Sequence, residues 1–197
     1  MSVQAPLIDA DLIRRFGPPA PLTTRLLTRA ELDRLPDIDR REQVHEIYVA
    51  DAHGRLTLTP FFHDTRGWPD GELEAELPIL RRHLDQGGAA LGVFDHQALI
   101  GAAVLAATGV GDYPDLRQLV FLHVGHDWRG RGVASALYRL CAEAARRGGA
   151  SGLYISATST RRTVDFYQRL GAVPTAQPDT ALFRHEPDDI HLIHRFL

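Results

Sequence analysis

Leu73, Leu77, Leu80 and Leu84 recur at helical spacing, and the run stops at Gly87-Gly88, which predicts an amphipathic helix over 72–85. A second helical period begins near Arg131, places Ala134, Leu137, Tyr138, Cys141, Ala144 and Ala145 on one stripe, and ends at Gly148-Gly149. A third covers 160–170 and closes at Gly171. Continuous apolar runs at 89–94 and 98–106, joined by Asp95-His96-Gln97, read as paired strands, and 117–124 and 152–156 read as two more. Residues 46–61 alternate around Ala52-His53-Gly54, the pattern of a β-hairpin, and 61–71 reads as a loop. A short strand at 22–27 and a helix around 29–35 precede the hairpin. From Ala181 onward two short strands are expected, the last over 190–196. Pro6, Pro18, Pro19 and Pro21 make 1–21 an N-terminal arm or irregular cap ahead of a single domain at 22–197. The order predicts an α/β (α+β mixed) fold, a mixed sheet flanked by helices.

Composition narrows the function. Apolar residues at 44% and charged residues at 24% suit a soluble globular domain. All 22 basic residues are arginine, the mark of a G+C-rich, bacterial coding sequence. Without lysine there is no Schiff base and no ordinary P-loop, which excludes pyridoxal-phosphate enzymes and P-loop NTPases. A net charge of −3 gives no general attraction to nucleic acid. The lone Cys141 excludes an internal disulfide and a cysteine zinc site, and it sits on an apolar stripe as a core residue. The ten histidines show no H-x-x-x-H or H-E-x-x-H spacing, so no metal is expected. No apolar run approaches the roughly 20 residues of a bilayer span, and no secretory signal is apparent, so a cytoplasmic protein off the membrane is expected.

The chemistry concentrates in Leu119–Tyr138, where a buried strand runs through Arg129-Gly130-Arg131-Gly132 into a helix. The first helical turn leaves backbone N–H groups free at a positive dipole end, a ready anion site. Gly130 and Gly132 let the backbone approach an anion, and Arg129 and Arg131 add positive charge suited to phosphate. The dinucleotide fingerprint does not fit, because Ala134 and Ser135 follow Gly132 where a third glycine is needed. Taken alone, the four residues also fit an ordinary strand-to-helix turn.

Arg129-Gly130-Arg131-Gly132-Val133-Ala134 resembles the Q/R-x-x-G-x-G/A signature of the GNAT superfamily of acyl-CoA-dependent N-acetyltransferases. A second segment, Thr160-x-x-Thr163-x-x-Phe166-Tyr167-x-x-x-Gly171-Ala172, is similar to the family's N-x-x-A-x-x-F-Y-x-x-x-G-F. Thr160 and Thr163 stand where asparagine and alanine are usual, and Ala172 where phenylalanine is, so altered pantetheine contacts are expected. The resemblance is strong over 89–173. It implies a mostly antiparallel sheet whose central parallel strand pair splays to hold coenzyme A, with acetyl-CoA as acyl-donor substrate. It also implies that Leu122, His123 and Val124 bind pantetheine, the Val124 N–H holding the oxyanion, and that Tyr167 is the general acid.

A lysine-like amine, with a pKa of about 10.4, needs a base at neutral pH. Many relatives carry an acid or histidine near the start of the strand where this chain has Gln118. His123 is the candidate on that strand, although strict alternation puts it opposite Gln118 unless a bulge intervenes. Asp39, Glu42, His45 and Glu46 form a polar cluster that fits either a base or a solvated helix face. The expected activity is acetyl transfer to a primary amine, small-molecule or peptide, by direct attack on the thioester. A non-catalytic acyl-CoA sensor stays open because Gln118 cannot accept a proton. The aromatic Phe61, Phe62 and Trp68 suit an acceptor pocket or a homodimer contact.

Overall fold

The computed structural model describes residues 6–197. In chain order it comprises helix α1 (Ala10–Phe16), strand β1 (Thr23–Leu26), a 3-10 segment (Ala30–Asp37), strands β2 (Glu42–Ala50) and β3 (Leu56–Thr65), and helix α2 (Glu72–Asp85). There follow strands β4 (Ala89–Asp95), β5 (Ala98–Gly109) and β6 (Leu116–Val124), helix α3 (Val133–Arg147), strand β7 (Gly152–Ala157) and helix α4 (Arg161–Arg169). Strand β8 (Val173–Pro174), helix α5 (Thr180–His185) and strand β9 (Ile190–Arg195) complete the chain.

Seven strands form one sheet in the order β1-β4-β5-β6-β7-β9-β8, antiparallel except for the central β6–β7 pair. Strands β4 and β5 are apolar on both faces because both are covered. On the first face, α3 buries Val133, Leu137, Leu140, Cys141, Ala144 and Ala145, and Val164 and Tyr167 of α4 and Leu12 of α1 join the same cluster. On the second, Leu80 of α2 and Leu32, Leu35 and Ile38 pack on Ala102, Val104 and Phe121. A fully buried leucine of this kind contributes ~1.5–3 kcal/mol.

Two features of β6 shape the centre. Its parallel pairing with β7 covers only Leu116–Gln118 against Gly152–Tyr154, after which the strands part. Opposite β5, Val104 faces Phe121 and Leu105 faces Leu119, so β6 carries one extra residue at Val120. Alternation then restarts: Leu119 and Leu122 belong with the first-face cluster, whereas Val120 and Phe121 belong with the second. The bulge therefore brings Gln118 and His123 to the same face, which strict alternation forbids.

The expected hairpin forms, and its strands are longer than predicted. It is a two-stranded sheet of its own, with Gly54 at φ 73° in the turn. Two expectations differ. Within the proline-rich start, residues 10–16 are a helix, because Asp9 accepts the Leu12 N–H at 2.8 Å and Leu12 is buried. Near Ala181 the structure has helix α5 where a strand was predicted, because Asp179 Oδ1 accepts the Ala181 and Leu182 N–H groups at 3.1 and 3.0 Å. Among the described residues, no helix is long and apolar enough to cross a membrane.

Candidate active site

Where β6 and β7 part, a cleft of about 1550 Å³ opens. The residues expected to bind or act on acetyl-CoA line it except Arg131, whereas Asp39, His45, Glu46, Phe62 and Trp68 do not. Arg131 is exposed, with its guanidinium 5.1 Å from the centre of the Trp128 ring.

The floor at one end is the turn into α3. Gly130 and Gly132 have φ of 75° and 82°, a region that L side chains rarely adopt. A Cβ at either would point into open space, so both surfaces are bare. Gly132 caps α3 with no side-chain hydrogen bond, and the first turn carries no acid. The amide groups of Val133, Ala134 and Ser135 are thus left for an anion.

Arg129 contributes to this floor by bracing it. Its guanidinium donates to the Val124 and Arg41 carbonyls, each at 3.2 Å, and pairs with Glu42 at 3.1 Å. Burial pushes its pKa down. Arg162 reaches Glu42 at 3.7 Å, and Arg162 and Arg169 also line this end of the cleft.

Helix α4 forms the next wall. The Thr160 hydroxyl caps the helix by accepting the Thr163 N–H at 3.3 Å, and it donates to Thr163 Oγ1 at 2.9 Å. That leaves the Thr163 hydroxyl proton free at the cleft wall. Tyr167 is 6% exposed, its ring 5.0 Å from Phe166 and 5.9 Å from Tyr138. Burial raises its pKa, so the phenol keeps its proton at physiological pH.

The hairpin spans the mouth of the cleft. The Tyr48 N–H donates to the Ser159 carbonyl at 2.8 Å, the Tyr48 hydroxyl donates to Asp165 at 2.8 Å, and Glu46 holds Arg161 at 2.6 Å. Phe61 lines the cleft, while Phe62 is exposed beside His45, ring centres 5.4 Å apart. The polar cluster of residues 39–46 lies mainly on a strand and is engaged in ion pairs: Asp39 with Arg41 at 2.6 Å, Glu42 with Arg129, Glu46 with Arg161.

His123 packs among aromatics at tilted angles, its ring centre 4.6 Å from that of Phe121 and 5.5 Å from that of Trp68. Burial, with Arg40 and Arg129 nearby, pushes it down to about 3. Such an imidazole is neutral and a poor proton acceptor at pH 7. Gln118 lines the same wall.

The second face supplies what the sequence reading missed. Glu72 and Glu76, one turn apart on α2, line the cleft with Glu186, Asp188 and Asp189 from the α5–β9 loop. Arg40 pairs with Glu72 and lies 4.6 Å from the Trp68 ring centre. Burial, and then repulsion from Glu186 and Glu72, raises Glu76 to about 7. Asp189, which accepts the Ser156 hydroxyl at 3.1 Å, is raised to about 7 for the same kinds of reason. The E-x-x-x-E spacing beside the α2 leucines was the available signal, hidden because exposed acids on a helix are ordinary.

A splayed parallel pair above a glycine-rich anion cradle defines an acyl-CoA transferase fold. Residues 39–172 match the family described as Acetyltransferase (GNAT) family, and the chain belongs to it. It is an acyltransferase by class. Among solved structures, nourseothricin acetyltransferase is similar at 19% identity and a TM-score of 0.66, covering 88% of this chain and 98% of that one. A putative streptothricin acetyltransferase from Bacillus anthracis, in complex with acetyl coenzyme A, is similar at 17% identity and a TM-score of 0.66, covering 89% and 99%. The PaiA N-acetyltransferase of Thermoplasma acidophilum, in complex with coenzyme A, has 12% identity and a TM-score of 0.57, covering 89% and 99%. No curated protein matches by sequence.

Proposed function

We propose that the chain transfers an acetyl group from acetyl-CoA to a primary amine by direct attack on the thioester. The observation that carries this reading is one cleft holding both a bare anion cradle at Gly130–Ser135 and a buried phenol at Tyr167. Val133, Ala134 and Ser135 would hold the pyrophosphate through their amides, and the strand edge at Leu122–Val124 would hold pantetheine. Acetyl-CoA supplies the activated acyl carbon.

On the second face, Glu76 takes a proton from the incoming ammonium, directly or through water, because its carboxylate form is well populated near neutral pH. A carbon–nitrogen bond forms and the carbon–sulfur bond breaks. The Val124 N–H faces the developing oxyanion. Tyr167 donates to the departing sulfur. Because burial favours its neutral form, Tyr167 must regain a proton as it gives one, so the transfer is concerted with reprotonation from the attacking nitrogen. This assigns the base to Glu76; His123 shapes the wall.

Calorimetry with acetyl-CoA, on wild type and Gly132→Glu, tests the donor site. Micromolar binding by the wild type that falls at least ~100-fold in the variant is expected, because a carboxylate enters an anion cradle. Gly132→Asn, a residue that tolerates the left-handed region, should fold and bind better than Gly132→Glu. Wild-type protein that does not bind acetyl-CoA would sink the reading. Binding with no turnover of any amine would leave an acyl-CoA sensor.

A further inference from the structure

Helix α4 is only nine residues long, yet the proposed reaction asks it to aim one phenol. Its start is tied down by the Thr160 cap and by Tyr48 and Glu46 of the hairpin. Its far end, where Tyr167 sits, meets a second tyrosine. Tyr138 of α3 is 2% exposed, its ring centre 5.9 Å from that of Tyr167 and 6.3 Å from that of Phe166, to which it is T-shaped. It follows Val133 by five residues, so it stands ~7.5 Å along α3 from the anion cradle. One side chain therefore bridges the helix that would grip the donor's phosphates and the helix whose phenol would meet its sulfur.

Tyr138 is itself held. Its hydroxyl lies 2.6 Å from Nδ1 of His194 on β9, with the rings 7° from parallel. Burial raises the Tyr138 pKa and lowers that of His194, so the bond joins two neutral groups at physiological pH. The imidazole also lies against the turn that closes α4. Gly171 has φ 97° there, and a Cβ on it would stand 3.4 Å from His194 Nε2. Phe196 is T-shaped to His194, 5.6 Å between ring centres. The end of α4, α3 and β9 thus meet around one hydrogen bond. Phenylalanine and leucine would fill the same space. The hydroxyl and the imidazole add direction, because a hydrogen bond weakens steeply as its partners rotate, whereas apolar contacts tolerate small shifts.

We propose that Tyr138 and His194 are positioning residues for acetyl transfer: their hydrogen bond locks the Tyr138 ring as the backstop that aims the Tyr167 phenol at the donor's sulfur. The proposal deepens the acetyltransferase reading and rests on it for the part Tyr167 plays. Neither Tyr138 nor His194 lines the cleft, so both act through Tyr167.

The test is a double-mutant cycle on kcat, with Tyr138→Phe, Tyr167→Phe and the pair. Tyr138→Phe keeps the ring and removes the tie. It should lower kcat about tenfold while leaving the acceptor KM and the acetyl-CoA Kd within about threefold. In the Tyr167→Phe background the same change should alter kcat by less than about twofold, because aim has no effect once the phenol is gone. His194→Asn keeps a hydrogen-bonding atom near the place of Nδ1 and should retain kcat within about threefold, whereas His194→Leu should lose as much as Tyr138→Phe. Melting temperatures are the fold control, with rates taken well below the lowest of them. Equal losses from Tyr138→Phe in both backgrounds, or no loss in either, overturn the proposal. Fluorine NMR gives a readout free of turnover. In protein carrying meta-fluorotyrosine, the signal lost in Tyr167→Phe belongs to Tyr167, and in Tyr138→Phe it should split or broaden by about twofold or more. If Tyr167→Phe keeps the wild-type rate, or no amine is turned over, the acid assignment fails instead. The width of the Tyr167 signal then decides this proposal alone, and an unchanged width overturns it.

Discussion

Replacing Glu76 with glutamine removes a carboxyl that the fold raises from 4.5 to about 7, and it should change stability and rate in opposite directions. The folded state holds the Glu76 proton more tightly than the unfolded chain does. Between those two values the wild type therefore loses stability as pH rises, and above about 7 the loss is complete. At ~1.4 kcal/mol per unit the ceiling is ~3 kcal/mol, and screening in an open cleft reduces this to ~1–2 kcal/mol. Urea unfolding should find Glu76→Gln more stable than wild type by ~1–2 kcal/mol at about pH 8, with little of that difference at about pH 5. Asp189 also titrates near 7 and is one of the charges that raise Glu76, so the same pair of proteins compared in an Asp189→Asn background separates the two contributions. The rate should move the other way. Wild-type kcat/KM should rise with pH to a plateau above about 7, and the variant should lose that limb and ~10²–10⁴-fold in rate. A stability difference that does not change with pH would refute the electrostatic account, and a variant with an unchanged pH–rate profile would refute the base assignment.

Tyr167→Phe should lower kcat by about 10²-fold or more while leaving the acetyl-CoA dissociation constant within about threefold, measured by product formation and by calorimetry. Arg129→Ala strips the ties to the Val124 and Arg41 carbonyls and leaves Glu42 short of a partner. It should lower stability by ~2 kcal/mol and the melting temperature by several degrees in a thermal scan. Cys141, buried and pushed up to about 12, should resist alkylation in the folded protein, and Cys141→Ala should remain active.

The elements most legible in the sequence were those whose pattern is set by one strong interaction. The α2 leucines bury against a sheet and the chain leaves the helix at glycine, so the expected and observed limits of 72–85 coincide. The cradle was equally readable, because positive φ at Gly130 and Gly132 is a local demand that few other residues meet. Helices α1 and α5 were hidden because each is short and stands on a single aspartate cap, a signal that proline and aromatic neighbours outweigh. The bulge at Val120 could not be read at all, since Leu119-Val120-Phe121 is apolar throughout and either register buries it. The carboxylate wall depends on elements about a hundred residues apart, so it exists only once the chain has folded.

That extra residue in β6 also bears on the order of events. The cradle opens beside α3 and α4, on one side of the sheet, while Glu76, Asp189 and His191 stand on the other. On the proposed assignment, the gap between β6 and β7 is the window through which the two substrates meet. Both can then occupy the protein together, and no side chain has to carry the acetyl group between them. Initial-velocity lines at several fixed acetyl-CoA concentrations should intersect, as for a ternary complex. Parallel lines, the mark of a double displacement, would place the group on the enzyme.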